Sequence, residues 1–165
     1  MPKEMRKLKI YLDTSIISFL FAEDSPDFKR ITEAFFRIHA SRYDLYISNV
    51  VRLEISKGPD PEHRKKLQGA LEAYPLQDLP MDRRNEVTQL AELYLAQGAI
   101  PKKKIEDALH VALAVVYDMD VLLSWNFKHL ANINKEARLM AVSLGAGYRH
   151  TVRLVSPLEV EDEMD

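Results

Sequence analysis

Leu8-Lys9-Ile10-Tyr11-Leu12-Asp13-Thr14-Ser15 is a short apolar run, carrying a β-branched and an aromatic residue, that stops abruptly in three polar side chains. This pattern predicts a buried strand delivering polar groups to its C-terminal tip. In an α/β sheet that tip is where ligands bind, which makes Asp13 the first candidate functional residue. A second reading stands beside it: Asp, Thr and Ser all cap helices, and residues 16–21 can form the helix they cap. The local sequence alone does not separate the two.

Working outward, strand and helix signals alternate. Ser25-Pro26 is a capping residue followed by proline at the first helical position, and Phe28, Ile31, Phe35 and Ile38 recur at helical spacing to about Ser41. Residues 43–48 read as a second strand, with Asn49 placed to cap a helix anchored by Val50, Val51, Leu53 and Ile55 and stopped by Gly58-Pro59. Further helices are expected over residues 61–74 and 81–97, separated by an edge-like extended piece at 75–80 whose prolines suit a sheet margin. Pro101 is expected to open the next helix, which is apolar nearly all round in its later turns and therefore buried. Asp118-Met119-Asp120 reads as a turn into the strand Val121-Leu122-Leu123-Ser124. A helix over 131–144, with Ile133, Ala137, Leu139, Met140 and Val142 as its apolar positions, precedes a last strand holding Val152, Leu154 and Val155. The expected class is α/β: three layers, α/β/α, around a central, mostly parallel sheet.

With 165 residues and 47% hydrophobic content, one domain spanning 1–165 is expected, with residues 1–6 and 160–165 frayed. The absence of cysteine excludes disulfides and thiolate metal sites and is compatible with the cytoplasm, the expected location. The basic stretch over residues 1–7 leads into a strand too short for a signal-peptide core or a membrane span. A formal charge of −2 leaves no broad basic surface, so contacts with nucleic acid must come from local groups. Lys102-Lys103-Lys104, Arg64-Lys65-Lys66, Lys128, His129, Arg149, His150 and Arg153 are available, although most charge runs, Arg64 to Lys66 among them, are solvated faces.

Three acidic residues occupy corresponding places: Asp13 at a strand tip, Glu54 in the helix after the second strand, and Asp107 near the start of the buried helix. A parallel sheet brings all three near its C-terminal edge. Carboxylates crowded into one cleft repel each other and take up protons unless a cation neutralises them. Oxygen ligands in small number suit Mg²⁺ or Mn²⁺. Each residue also has an ordinary reading: Glu54 as an exposed helix residue, Asp107 with Glu106 as a pair favoured by the helix dipole, His110 as a satisfied structural histidine, Asp120 as a turn residue, and Trp125 and Phe127, which can also stack on bases, as packing under the site.

Taken in order, Tyr11-Leu12-Asp13-Thr14-Ser15, Glu54 within Val51-Arg52-Leu53-Glu54-Ile55, Asp107-Ala108-Leu109-His110-Val111-Ala112 and Leu122-Leu123-Ser124-Trp125-Asn126-Phe127 resemble the PIN domain. The resemblance implies a metal-dependent ribonuclease, and compact prokaryotic members are often toxins of the VapC type held by an antitoxin. It implies Mg²⁺ or Mn²⁺ as cofactor, with Asp13, Glu54 and Asp107 as metal ligands or water-activating groups. Thr14 lends a hydroxyl beside them, Ser124 sits at the neighbouring strand tip, and His110 is a candidate partner of the carboxylates. Asn126 stands where the family commonly has another acid, so the site holds one negative charge fewer; its carbonyl can donate to a metal or hold a water. The implied substrate is RNA, single-stranded or looped, gripped by Lys102 to Lys104 and by Lys128 or Arg52, and cut to 5′-phosphate and 3′-hydroxyl ends. A homodimer and an antitoxin partner are further implications. Two competing readings are a catalytically weak PIN-like module that binds RNA or protein, and a receiver-type phosphoacceptor, the latter disfavoured because the first strand ends in a single Asp.

Overall fold

The opening strand is the middle of the sheet. A computed structural model describes residues 6–162, with the side chains of 161 and 162 left aside; residues 1–5 and 163–165, where fraying was expected, lie outside the described residues. β1 (Lys9–Leu12) pairs with β2 (Asp44–Ile47) on one side and β4 (Val121–Leu123) on the other, all parallel. β3 (Leu76–Asp78) and β5 (Arg153–Val155) complete a five-stranded sheet of order β3-β2-β1-β4-β5. Ile10, Tyr11 and Leu12 are at most 1% exposed because a central parallel strand is covered on both faces, which is why its apolar run does not alternate.

Among the described residues eight α-helices flank the sheet as the two outer layers. They are α1 (Thr14–Ser18), α2 (Pro26–Ala34), α3 (Asn49–Ser56), α4 (Pro61–Ala73), α5 (Arg84–Ala96), α6 (Ile105–Val116), α7 (Ile133–Gly145) and α8 (Pro157–Asp162). The chain runs outward from β1 to β3, then returns to place β4 against the other side of β1. The order of strands therefore reverses between β1 and β4, the place where an open α/β sheet leaves a crevice at its C-terminal edge. Among the described residues no helix is long and apolar enough to cross a membrane.

Several local expectations are corrected. The helix from Pro26 does not run on to Ser41: α2 ends at Ala34, a π-helical turn spans Phe35–His39, and a 3-10 turn spans Ala40–Arg42. The wider π turn lets two consecutive phenylalanines face inward, Phe36 stacking on Tyr74 with ring centroids 4.2 Å apart while Phe35 lies alongside Tyr43. Ser48, not Asn49, caps α3, its hydroxyl accepting the Val50 N–H at 3.2 Å. Pro101 opens a turn closed by the Lys104 N–H on the Pro101 carbonyl, and α6 starts only at Ile105. Leu53 and Ile133 are 49% and 81% exposed, so neither anchors its helix.

The start of β1 is not frayed at Arg6. Asp120 accepts the Lys9 N–H at 2.8 Å and both guanidinium arms of Arg6, and its own N–H returns to the Lys9 carbonyl at 2.9 Å. Asp120 is thus a clamp on the central strand, more than a turn residue. At the other end Val160, in α8, is buried. Asp120→Ala is expected to lower stability by about 1–3 kcal/mol, because a partly buried strand N–H loses its acceptor. A fall in the urea midpoint at unchanged m-value is the check.

Candidate active site

At the tip of β1 the backbone of Asp13 stays extended while the next residue turns into α1, so its carboxylate can fold back as a cap. Asp13 caps α1, and at 4% exposure it is also a buried carboxylate at the switch point. One oxygen accepts the Ser15 N–H at 3.1 Å and the Ser15 hydroxyl at 2.5 Å; the other accepts the Ser124 hydroxyl from the tip of β4 at 2.5 Å. These serines are fixed in turn, Ser15 Oγ by the Trp125 N–H and Ser124 Oγ by the Asn126 N–H, each at 2.9 Å.

Glu54 comes from the second turn of α3. Its Oε1 accepts the Thr14 hydroxyl at 2.5 Å and meets His110 Nε2 at 2.7 Å. On the far side of the ring, His110 Nδ1 lies 2.7 Å from the Tyr11 hydroxyl, which lies 2.6 Å from Ser48 Oγ. An ionised carboxylate only accepts, so Nε2 carries a proton; with the ring charged Nδ1 donates to Tyr11 and Tyr11 to Ser48, with it neutral both directions reverse, and every member of this buried chain is satisfied in either state. His110 is accordingly both a buried structural histidine and the direct partner of Glu54.

Asp107, in the first turn of α6, accepts the side-chain N–H of Asn126 at 3.1 Å. The Asn126 carbonyl oxygen is occupied by the His129 N–H at 3.0 Å, which fixes the amide orientation. Asn126 thus donates to Asp107, while its carbonyl, with one lone pair taken by the His129 N–H, keeps a second acceptor site. An acid there would instead face Asp107 with a like charge.

Electrostatics ties the three carboxylates together around one imidazole. Burial raises the Asp13 carboxyl above the ordinary range against the pull of His110, Ser124 and Ser15, and the Asp107 charge adds to the rise. Burial also raises Asp107, opposed by His110, His129, Asn126 and Lys104. Burial would raise Glu54 too, but the hydrogen bond and charge of His110, with Thr14, hold it below its usual value. For His110 burial pulls down, yet the Glu54 bond and the charges of Asp13, Glu54 and Asp107 outweigh it and raise the ring above normal. Even so, among the described residues no three acidic or histidine side chains already stand as an assembled metal-binding group.

Of the cationic candidates, Lys102, Lys103 and Lys104 are exposed on the turn before α6, and the charge of Lys104 reaches Asp107. The guanidinium of Arg52 is held bidentately by Asp78 at 2.9 and 3.0 Å. Tyr11, Ser15 and Ser48 were not anticipated as site residues. Tyr11 stands two positions before Asp13 on the same strand, hence on the same face, and that period was the available signal.

The family model described as PIN domain matches residues 10–134, about three quarters of the chain. The chain belongs to the PIN domain family. The matched span contains every carboxylate, hydroxyl and amide of this arrangement, and PIN domains are generally nucleases. No curated protein matches the sequence. Among solved structures this PIN domain is similar to the crystal structure of DNA-bound VapBC from Salmonella typhimurium, with a TM-score of 0.57 and 18% identity over 91% of this chain and 98% of the other. It is also similar to VapBC2 from Rickettsia felis bound to a DNA fragment from their promoter, with a TM-score of 0.52 and 20% identity over 73% of this chain and 90% of the other. At such identities the likeness concerns the fold.

Proposed function

We propose that this PIN domain is a Mg²⁺- or Mn²⁺-dependent endoribonuclease of the VapC kind, the toxin of a type II toxin–antitoxin pair, acting as a cytoplasmic single-domain homodimer. The observation that carries the reading is the gathering of Asp13, Glu54 and Asp107, delivered by three separate elements, at the reversal of strand order: Glu54 bonds the buried His110, Asp13 bonds Ser124 at the tip of β4, and Asp107 bonds Asn126 two residues further on. The likeness to VapBC complexes supports an antitoxin partner.

The donor set fits a hard divalent cation. Two carboxylates raised by burial, one of them further by the other's charge, would be relieved by a cation between them, and such cations bind through a few oxygens while keeping several waters. Asp13, Glu54 and Asp107 would hold it, and when bound it supplies charge neutralisation at the phosphate oxygens and activation of water for in-line attack. The protein's own residues set the geometry. Ser15 and Ser124 fix both oxygens of Asp13, Thr14 and His110 hold Glu54, and Asn126 orients Asp107. Lys104 and Lys128 are placed to meet phosphates of a single-stranded or looped RNA. Hydrolysis leaves 5′-phosphate and 3′-hydroxyl ends.

Purified protein with Mn²⁺ is expected to cut RNA, and Asp107→Ala to reduce the rate by at least about a hundredfold, the order of effect for removing one preorganised electrostatic group. Equal cleavage by this variant would overturn the assignment. The non-cutting RNA- or protein-binding module is favoured by one observation, the amide of Asn126 in place of an acid, and calorimetry showing no Mn²⁺ binding at millimolar concentration would select it.

A further inference from the structure

Beside the carboxylates the chain exposes an aromatic ring that packing alone does not use. Phe127 is 41% exposed, whereas Trp125, two residues earlier, is 5% exposed and anchored by its indole N–H on Thr32 Oγ1 at 2.8 Å. Phe28 stacks on Trp125 with centroids 4.4 Å apart, and Phe127 leans on both, at 5.9 Å from Trp125 and 6.1 Å from Phe28. The backbone beneath it is pinned: the Leu130 and Ala131 N–H groups close on the Asn126 carbonyl, and the Asn132 amide closes on the Phe127 carbonyl at 3.2 Å. The ring is therefore presented on a prepaid loop one residue from Asn126, the partner of Asp107.

Charge gathers at the same place. Lys128, exposed, follows Phe127 directly in the chain, and Lys104, also exposed, immediately precedes α6, whose first-turn Asp107 bonds Asn126, in a chain whose formal charge is −2. An exposed aromatic ring among cations, next to carboxylates, matches the two faces of a nucleotide, a flat base and a charged phosphate.

We propose that Phe127 is the stacking platform for one unpaired base flanking the scissile phosphate, with Lys104 and Lys128 holding the adjoining phosphates. This rests on the nucleic-acid reading above and deepens it: the substrate must offer an unstacked base, which a duplex cannot. Phe127 is a positioning residue here, setting where along a single strand the phosphate meets the carboxylates.

The test uses the full chain with Ca²⁺ in place of Mn²⁺, and single-stranded RNA and DNA oligonucleotides of one sequence carrying 2-aminopurine or an abasic position stepped along the strand. Phe127→Leu should weaken binding roughly five- to a hundredfold, the range for loss of one stacked base, and Phe127→Trp should retain it. In wild type, 2-aminopurine fluorescence should be quenched at one position only, and an abasic residue there should erase the difference between wild type and Phe127→Leu. Unchanged affinity and quenching in Phe127→Leu, or no binding of single strands by wild type, would overturn the inference. Phe127-dependent binding without cleavage in Mn²⁺ would keep it and remove the nuclease reading; cleavage with KM unchanged in Phe127→Leu would do the reverse.

Discussion

Asp13→Asn is expected to abolish cleavage, by at least about a hundredfold, and yet to make the metal-free protein melt at a higher temperature than wild type. Asparagine is as good a helix cap as aspartate, its carbonyl can keep the Ser15 bonds, and its amide can donate to Ser124 Oγ, so the local frame survives. What disappears is a buried negative charge facing that of Asp107. Burial raises the Asp13 carboxyl, so the native state binds its proton more tightly than the unfolded chain does. Stability of wild type therefore falls as pH rises from the ordinary carboxylate range through the raised native value, and the deficit persists above it. Asp107, raised in the same direction, adds to that slope. The melting advantage of Asp13→Asn should accordingly be present at neutral pH and vanish on acidification, with about 2–4 °C for each kcal/mol relieved. Mn²⁺ should reverse the ranking. A cation bound only by the native state stabilises wild type by about 2.7 kcal/mol at a hundredfold excess over its dissociation constant, and the variant should gain far less. A Mn²⁺-induced shift of equal size in both proteins would show that Asp13 does not hold the cation.

Much of this arrangement was legible because parallel sheets write themselves plainly. The fully buried run of β1 has no polar face to confuse it, α6 is apolar all round because it is buried all round, and the prolines around β3 mark an edge. Boundaries were less legible, since they depend on which of several competent groups reaches a backbone N–H. Ser48 and Asn49 both suit a cap, and extended backbone at Ser48 decides between them. Apolar periodicity likewise cannot tell where the core ends, so Leu53 and Ile133 counted as anchors although they face water. At the site, the carboxylates stood out as polar residues in apolar surroundings, a costly placement that calls for a reason. Their supports did not, because serine, threonine and tyrosine hydroxyls are unremarkable in sequence and the contacts span up to 111 positions. The identity of residue 126 was visible but its role was not: only the His129 N–H on its carbonyl fixes which end of the amide faces Asp107.

The larger stability effect belongs to His110. His110→Ala is expected to cost about 3–5 kcal/mol, because it combines a cavity at a 2% exposed position with the loss of a buried partner for both Glu54 and Tyr11. For a chain of this size that is a fall of roughly 6–20 °C in melting temperature. Glu54→Gln should cost much less, since its carbonyl oxygen can still accept from Thr14 and from His110 Nε2. The pH dependence separates a charged pair from simple packing. The raised imidazole contributes stability that is complete below the ordinary histidine range and lost as pH rises through its raised native value; the lowered Glu54 contributes stability present above the ordinary carboxylate range and lost as pH falls through its own native value. The pair is therefore worth most between those limits, and the wild-type curve of stability against pH should slope downward on the alkaline side where that of His110→Ala is flatter. Cleavage should fall as well, because Glu54 keeps only Thr14 of the two contacts that hold its carboxylate. A His110→Ala protein as stable as wild type, with the same alkaline slope, would show that the chain from Ser48 through Tyr11 to Glu54 carries no energetic coupling.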